Sequence, residues 1–127
     1  MQLVQNAAAR LLTGTRKYDH ILASLHWLPI HFRINFKILL FAFKSLNGMT
    51  SSYLSELLDP YTPTRPLRSA DQLLLNVPRT KSKLRGGRCF SVAAPTLWND
   101  LPLHIRQAST LPVFKSLLKT HLFSLAY

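Results

Sequence analysis

Five acids, five histidines and one cysteine are the residues of this 127-residue chain best suited to chemistry. Hydrolysis and phosphoryl transfer need converging carboxylates, alone or around a metal. The acids are Asp19, Glu56, Asp59, Asp71 and Asp100, and only Glu56 and Asp59 lie near each other. They fall at the end of an expected helix, where solvated surface charge is the ordinary reading. His20, His26, His31, His104 and His121 invite a zinc site, but such sites pair Cys or His at short, fixed spacings and Cys89 has no such partner. His26 and His31 flank Pro29, whose break takes them off any common helical face. Packed or surface histidines are expected instead. As a nucleophile, Cys89 needs a base that nothing in the sequence marks. The cations before it favour its thiolate; the competing reading is a half-buried strand cysteine. "RGGR" lacks both the pattern and the following helix of a phosphate-cradling loop. No catalytic residue, metal ligand or cofactor is expected.

Binding chemistry is better represented. Residues 65–88 hold Arg65, Arg68, Arg79, Lys81, Lys83, Arg85 and Arg88 against Asp71 alone, a net +6 of the chain's +11. "PRTKSKLRGGR" alternates cations with small residues, as a phosphate-contacting ribbon does, and its glycines allow close backbone approach to a nucleic-acid strand. Tyr61, Phe90 and Trp98 are near enough in sequence to stack on bases. A solvated hairpin whose charges only confer solubility is the alternative. Arg33, Lys37 and Lys44 form a second basic stripe if their segment is helical.

These residues need elements to position them. Leu3, Val4, Ala7, Ala8, Leu11 and Leu12 keep helical spacing over 2–13, with Gly14 placed to stop the helix. Asp19 is a candidate cap for a short helix running to Trp27. "IHFRINFKI" alternates like a strand, but "LLFAF" ends the alternation. With Pro29 at the start and Gly48 at the stop, residues 30–47 read as a helix. Ser51 or Ser52 caps a further short helix through Leu58. "DPYTPTRPLRS" reads as an extended connector. "LLLNVP", "KLRGGR" and "CFSVAAP" read as strand, turn and strand, a β-hairpin rimmed with basic residues. Thr110 caps a last helix with Phe114, Leu117, Leu118, Leu122 and Leu125 on one face and Lys115 and Lys119 on the other. The expected fold is mostly α with a small β-hairpin. Its parts are a helical segment (1–58), a proline-rich connector (59–72), and the hairpin with a C-terminal amphipathic helix (73–127).

With 47% hydrophobic residues the chain has material for one core. A pI near 10.6 favours polyanions, nucleic acid first and acidic membrane surfaces second. No apolar run suits a transmembrane span, and the N-terminus lacks a signal-peptide pattern. With one cysteine there is no internal disulfide. An intracellular protein, nuclear or cytoplasmic and not secreted, is expected.

"LVQNAAARLLTGTRKYDHI", "LASLHWLPIHFRINFKILLFAFKSLNG", "YLSELL" and "AAPTLWNDLP…FKSLLKTHLF" stand in that order. Together they resemble the C-terminal region of the reverse transcriptase polyprotein of non-LTR (LINE-type) retrotransposons, abundant in fish and other vertebrate genomes. The likeness covers nearly the whole chain. It implies a helical, thumb-like or post-thumb tail that follows a polymerase domain and helps to hold template RNA or target DNA. The polymerase signature of adjacent aspartates is missing, as are the endonuclease carboxylates and a cysteine-rich knuckle. Between His20 and Leu22 the family carries a few more residues, and Met1 stands where the parent continues upstream. The resemblance thus implies a truncated, non-catalytic fragment with residual RNA or DNA binding through Arg79, Lys81, Lys83, Arg85 and Arg88, then Arg33, Lys37 and Lys44. Its partner within the parent is the upstream polymerase domain. The alternatives are a module that binds a protein or a membrane surface through apolar helix faces, and a decayed reading frame without function.

Overall fold

In the computed structural model, residues 1–15, 21–68, 70–82 and 86–127 are described. The chain is mostly helical: α1 (Gln2–Thr13), α2 (Ile21–Ser24), α3 (Ile30–Leu46), α4 (Ser52–Glu56), α5 (Phe90–Asn99), α6 (Leu103–Arg106) and α7 (Leu111–Ala126). Single 3₁₀ turns lie at Ala70–Gln72 and Gly86–Arg88. Asp19, the expected cap of the second helix, lies outside the described residues.

Helix ends follow from local chemistry. Past α3, Gly48 takes φ 67, Met49 N–H bonds Lys44 C=O (2.8 Å) and Gly48 N–H bonds Ser45 C=O (3.3 Å). This is a Schellman stop in which glycine adopts the left-handed conformation without steric cost. The same pair of bonds closes α2, from Trp27 N–H to Leu22 C=O (2.8 Å) and from His26 N–H to Ala23 C=O (3.0 Å). Here His26 holds φ 52 where glycine is usual, a strain of roughly 1 kcal/mol. Ser51 and Thr110 occupy the expected N-cap positions with extended backbone, but neither makes a side-chain capping bond.

The core forms where α3 packs on α5 and α7. Phe43, Trp98 and Phe114 are fully buried, with the rings of Phe43 and Phe114 stacked at 4.3 Å and those of Trp98 and Phe114 at 5.9 Å. Leu28 to Leu58 of the first segment and Leu75 to Leu122 of the last contribute to one cluster. On α7, Phe114, Leu118 and Leu122 are buried as spaced, whereas Leu125 is 61% exposed, beyond the reach of the core. Helix α1 is inverted relative to its pattern. Its polar Gln5 is buried and donates to Leu28 C=O (2.9 Å), Gln2 Oε1 accepts from Ile30 N–H (2.8 Å), and Leu3, Val4, Leu11 and Leu12 face solvent.

Among the described residues the expected hairpin does not form. Residues 90–99 are helical rather than a return strand, and a helix does follow "RGGR". Ala94, Pro95 and Trp98 turn inward along α5, and their burial outweighs the cost of a proline that offers no N–H to the helical ladder. Leu75 still bridges in antiparallel fashion, but its partner is Pro60 of the connector, flanked by Tyr61 N–H to Leu74 C=O (2.9 Å) and Asn76 N–H to Asp59 C=O (2.8 Å). On its other side, the Asn99 amide stands in for the missing strand. Its Oδ1 accepts from Leu75 N–H (2.9 Å) and its Nδ2 donates to Leu75 C=O (2.8 Å). Among the described residues no helix is long and apolar enough to cross a membrane.

Candidate nucleic-acid interface

The left-handed turn at His26 carries the chain from α2 toward Pro29 and sets Trp27 beside the first turns of α3. Tyr127 fastens this turn from the far end of the chain, its hydroxyl donating to Trp27 C=O (2.7 Å). Burial raises the Tyr127 phenol pKa above its ordinary value. The His26 ring lies 5.4 Å from that of Phe123 on α7. Between the turn, α3 and α7 opens a cleft of about 360 Å³ lined by His26, Trp27, Arg33, Phe36, Lys37 and Lys119. Arg33, Lys37 and Lys119 are exposed, and Trp27 is half-buried. None of these three cations has an ion-pair partner among the described residues.

Arg33 and Lys37 also border a second, shallower groove, with Ile34, Ile38 and Phe41 of α3 and with Phe90 of α5. They therefore form a ridge between an aromatic cleft and an apolar one. Phe90 follows Arg88 by two positions, so the expected basic ribbon ends close in sequence to a residue of this groove.

The expected binding residues are not all brought together. Arg33 and Lys37 share the cleft, while Lys44 is half-buried and borders neither opening. Its stripe spans three turns and only the first of them meets the cleft. Arg79, Lys81 and Arg88 are exposed; Lys83 and Arg85 lie outside the described residues. Without a return strand, Arg79, Lys81 and Arg88 line no common strand face. Gly86 packs so closely that a Cβ there would stand 2.6 Å from Thr80 Cβ, so this glycine permits close packing within the protein. Of the proposed stacking rings, Tyr61 is exposed and Phe90 is half-buried. Trp98 is excluded: it is 2% exposed and its Nε1 donates to Leu73 C=O (2.8 Å). Trp27 and Lys119 were not selected from sequence. A tryptophan just before a helix-breaking proline was the available signal for the first; the second is an ordinary exposed helix lysine.

The chemistry-bearing residues remain apart. Glu56 and Asp59 are both exposed, and the described residues hold no group of three or more His, Cys, Asp or Glu able to bind a metal. Cys89 is exposed at the start of α5, not half-buried in a strand. Compared with protein-family models, curated proteins and solved structures, the chain matches none of them.

Proposed function

We propose that this chain binds single-stranded nucleic acid, RNA or DNA, and performs no catalysis. The observation that carries the reading is the cleft whose lining brings Arg33, Lys37 and Lys119, drawn from two helices, together with Trp27. Phosphates meet the cations and a base stacks on the indole, a combination that tolerates any sequence. Arg79, Lys81, Lys83, Arg85 and Arg88 extend the basic surface, and the excess of +11 steers polyanions toward it. The resemblance to the tail of a non-LTR retrotransposon reverse transcriptase supports the same reading, as does the lack of paired carboxylates for nucleotide transfer.

A salt series with RNA and single-stranded DNA tests it. The logarithm of affinity falls linearly with that of salt, by about 0.7 per neutralised phosphate. Reversing Arg33, Lys37 and Lys119 together flattens the slope by about 2. Reversal of the 79–88 cations measures their share separately. Absence of binding by the wild type, or a slope unchanged by both reversals, defeats the proposal.

One further observation favours a second reading. Leu3, Val4, Leu11 and Leu12 are each at least 70% exposed on a single helix, an apolar face of the kind that contacts a protein or membrane surface. Such binding is nearly indifferent to salt, which separates the two readings in the same experiment.

A further inference from the structure

The groove between α3 and α5 is open, apolar and bordered by cations. It holds about 500 Å³ and is lined by Ile34, Ile38 and Phe41 of α3 and Phe90 of α5, with Arg33 and Lys37 as its charged members. Ile34 is 54% exposed and Phe41 45% exposed, so solvent reaches this apolar wall. Arg33 and Lys37 are exposed too, and neither has an ion-pair partner among the described residues. The lining follows a helical period. Ile34, Ile38 and Phe41 recur at four- and three-residue intervals, which places them in one row along α3. From Ile30 at its head to Phe41, that row is about three turns or roughly 17 Å long. Arg33 and Lys37 are one turn apart beside it, at a Cβ spacing of about 6 Å.

We propose that this groove docks an amphipathic helix of a partner protein, about three turns long, with acids one turn apart along one flank. Its apolar row fills the trough between α3 and Phe90, and its two acids meet Arg33 and Lys37 at their own interval. A second copy of this chain does not supply such a helix. Its two neighbouring acids, Glu56 and Asp59, straddle the end of α4, which has five residues. The apolar helix α1 carries no acid at all. A bilayer surface is flat, whereas this apolar row shares a trough with a second helix. Arg33 and Lys37 also line the Trp27 cleft, but Ile34 and Phe41 line the groove and not the cleft. Helix docking does not rest on nucleic-acid binding, and substitutions at Ile34 and Phe41 separate the two.

The probe is a stapled, leucine-rich helical peptide of about 12 residues with two glutamates one turn apart beside its apolar row. Fluorescence anisotropy follows its titration with the full chain. Saturable binding is expected, weakened about 3- to 10-fold when both glutamates are replaced by glutamine, the worth of two exposed ion pairs. A peptide of the same composition with its glutamates two positions apart is expected to bind as weakly, because they no longer share a flank. Ile34→Ala combined with Phe41→Ala is expected to weaken the first peptide by about 10- to 30-fold, the worth of two half-buried apolar side chains. Far-ultraviolet ellipticity of that variant should match the wild type. The peptides alone decide the matter in the wild type, whether or not the double variant folds: no saturable binding, or equal binding of all of them, overturns the proposal. Binding of the first peptide at full strength by the folded double variant overturns it as well. Binding to phosphatidylserine vesicles without binding of the peptide assigns the face to a membrane surface and has the same consequence.

Discussion

Trp27 is the residue on which a base would rest, and its position depends on neighbours that carry no charge. His26 accepts a left-handed conformation to turn the chain, and Tyr127 holds the Trp27 carbonyl. Stacking on one ring is worth about 1–3 kcal/mol. Trp27→Ala is therefore expected to weaken single-stranded RNA and DNA binding by about tenfold or more while leaving the salt slope unchanged, because no phosphate contact is removed. Fluorescence anisotropy at several salt concentrations measures both quantities. His121 offers a residue-scale test of folding. Burial and then the nearby His104 charge lower its pKa from 6.5 in the folded protein. The unfolded chain takes up the proton as pH falls through about 6.5, while the folded chain still declines it. Stability contributed by neutral His121 is thus complete above that pH and is lost progressively as pH falls toward the depressed folded value. His121→Gln is expected to flatten the acid side of the midpoint-versus-pH curve. An unaltered curve counts against the shift.

At the scale of elements, α5 departs most from what its sequence suggests. "FSVAAP" is apolar almost throughout, and such a run does not distinguish a strand from a buried helix; Pro95 then reads as a terminator. Trp98 docking on Phe114 and the double bond from Asn99 to Leu75 decide the outcome, and both link residues far apart in the chain. Asn99→Ala leaves both backbone groups of buried Leu75 unsatisfied and is expected to cost about 2–4 kcal/mol. Asn99→Asp keeps an acceptor for the Leu75 N–H but sets a carboxylate oxygen against the Leu75 C=O where Nδ2 donated, and is expected to cost at least as much as Asn99→Ala. Urea midpoints rank the variants, and faster hydrogen exchange at Leu75 locates the damage. By contrast α1, α3 and α7 were legible because local signals agree: spacing on each helix, Gly14 and Gly48 at the stops, Pro29 and Thr110 at the starts. Even so, periodicity gave the helix of α1 without its orientation, since the two glutamines rather than the leucines meet the turn before α3. The cleft was legible only in part. Arg33 and Lys37 follow from one helix, but Trp27 and Lys119 are 92 positions apart and only the packing of α7 on α3 brings them together.

For the whole molecule, one core and one charge excess pull in opposite directions. Residues from Leu28 to Leu122 share the cluster around Phe114, so α3, α5, α6 and α7 are expected to unfold together, with far-ultraviolet ellipticity and tryptophan fluorescence tracing one transition. Against that core stand eleven uncompensated positive charges, and the described cations of the cleft form no ion pairs. Self-repulsion of this size disfavours the compact state and is screened within about 10 Å at 0.1 M salt. Added salt is therefore expected to raise the thermal midpoint of the free protein. The same salt releases bound nucleic acid, because it removes the entropic gain of displaced counterions. Stability and affinity should then move in opposite directions along one salt series. Chloride and fluoride salts of the same cation distinguish screening, which depends on ionic strength alone, from specific anion binding. If the midpoint instead falls as salt rises, the positive surface is stabilising in the folded state, and the account of its cations as an unpaired polyanion-binding face does not hold.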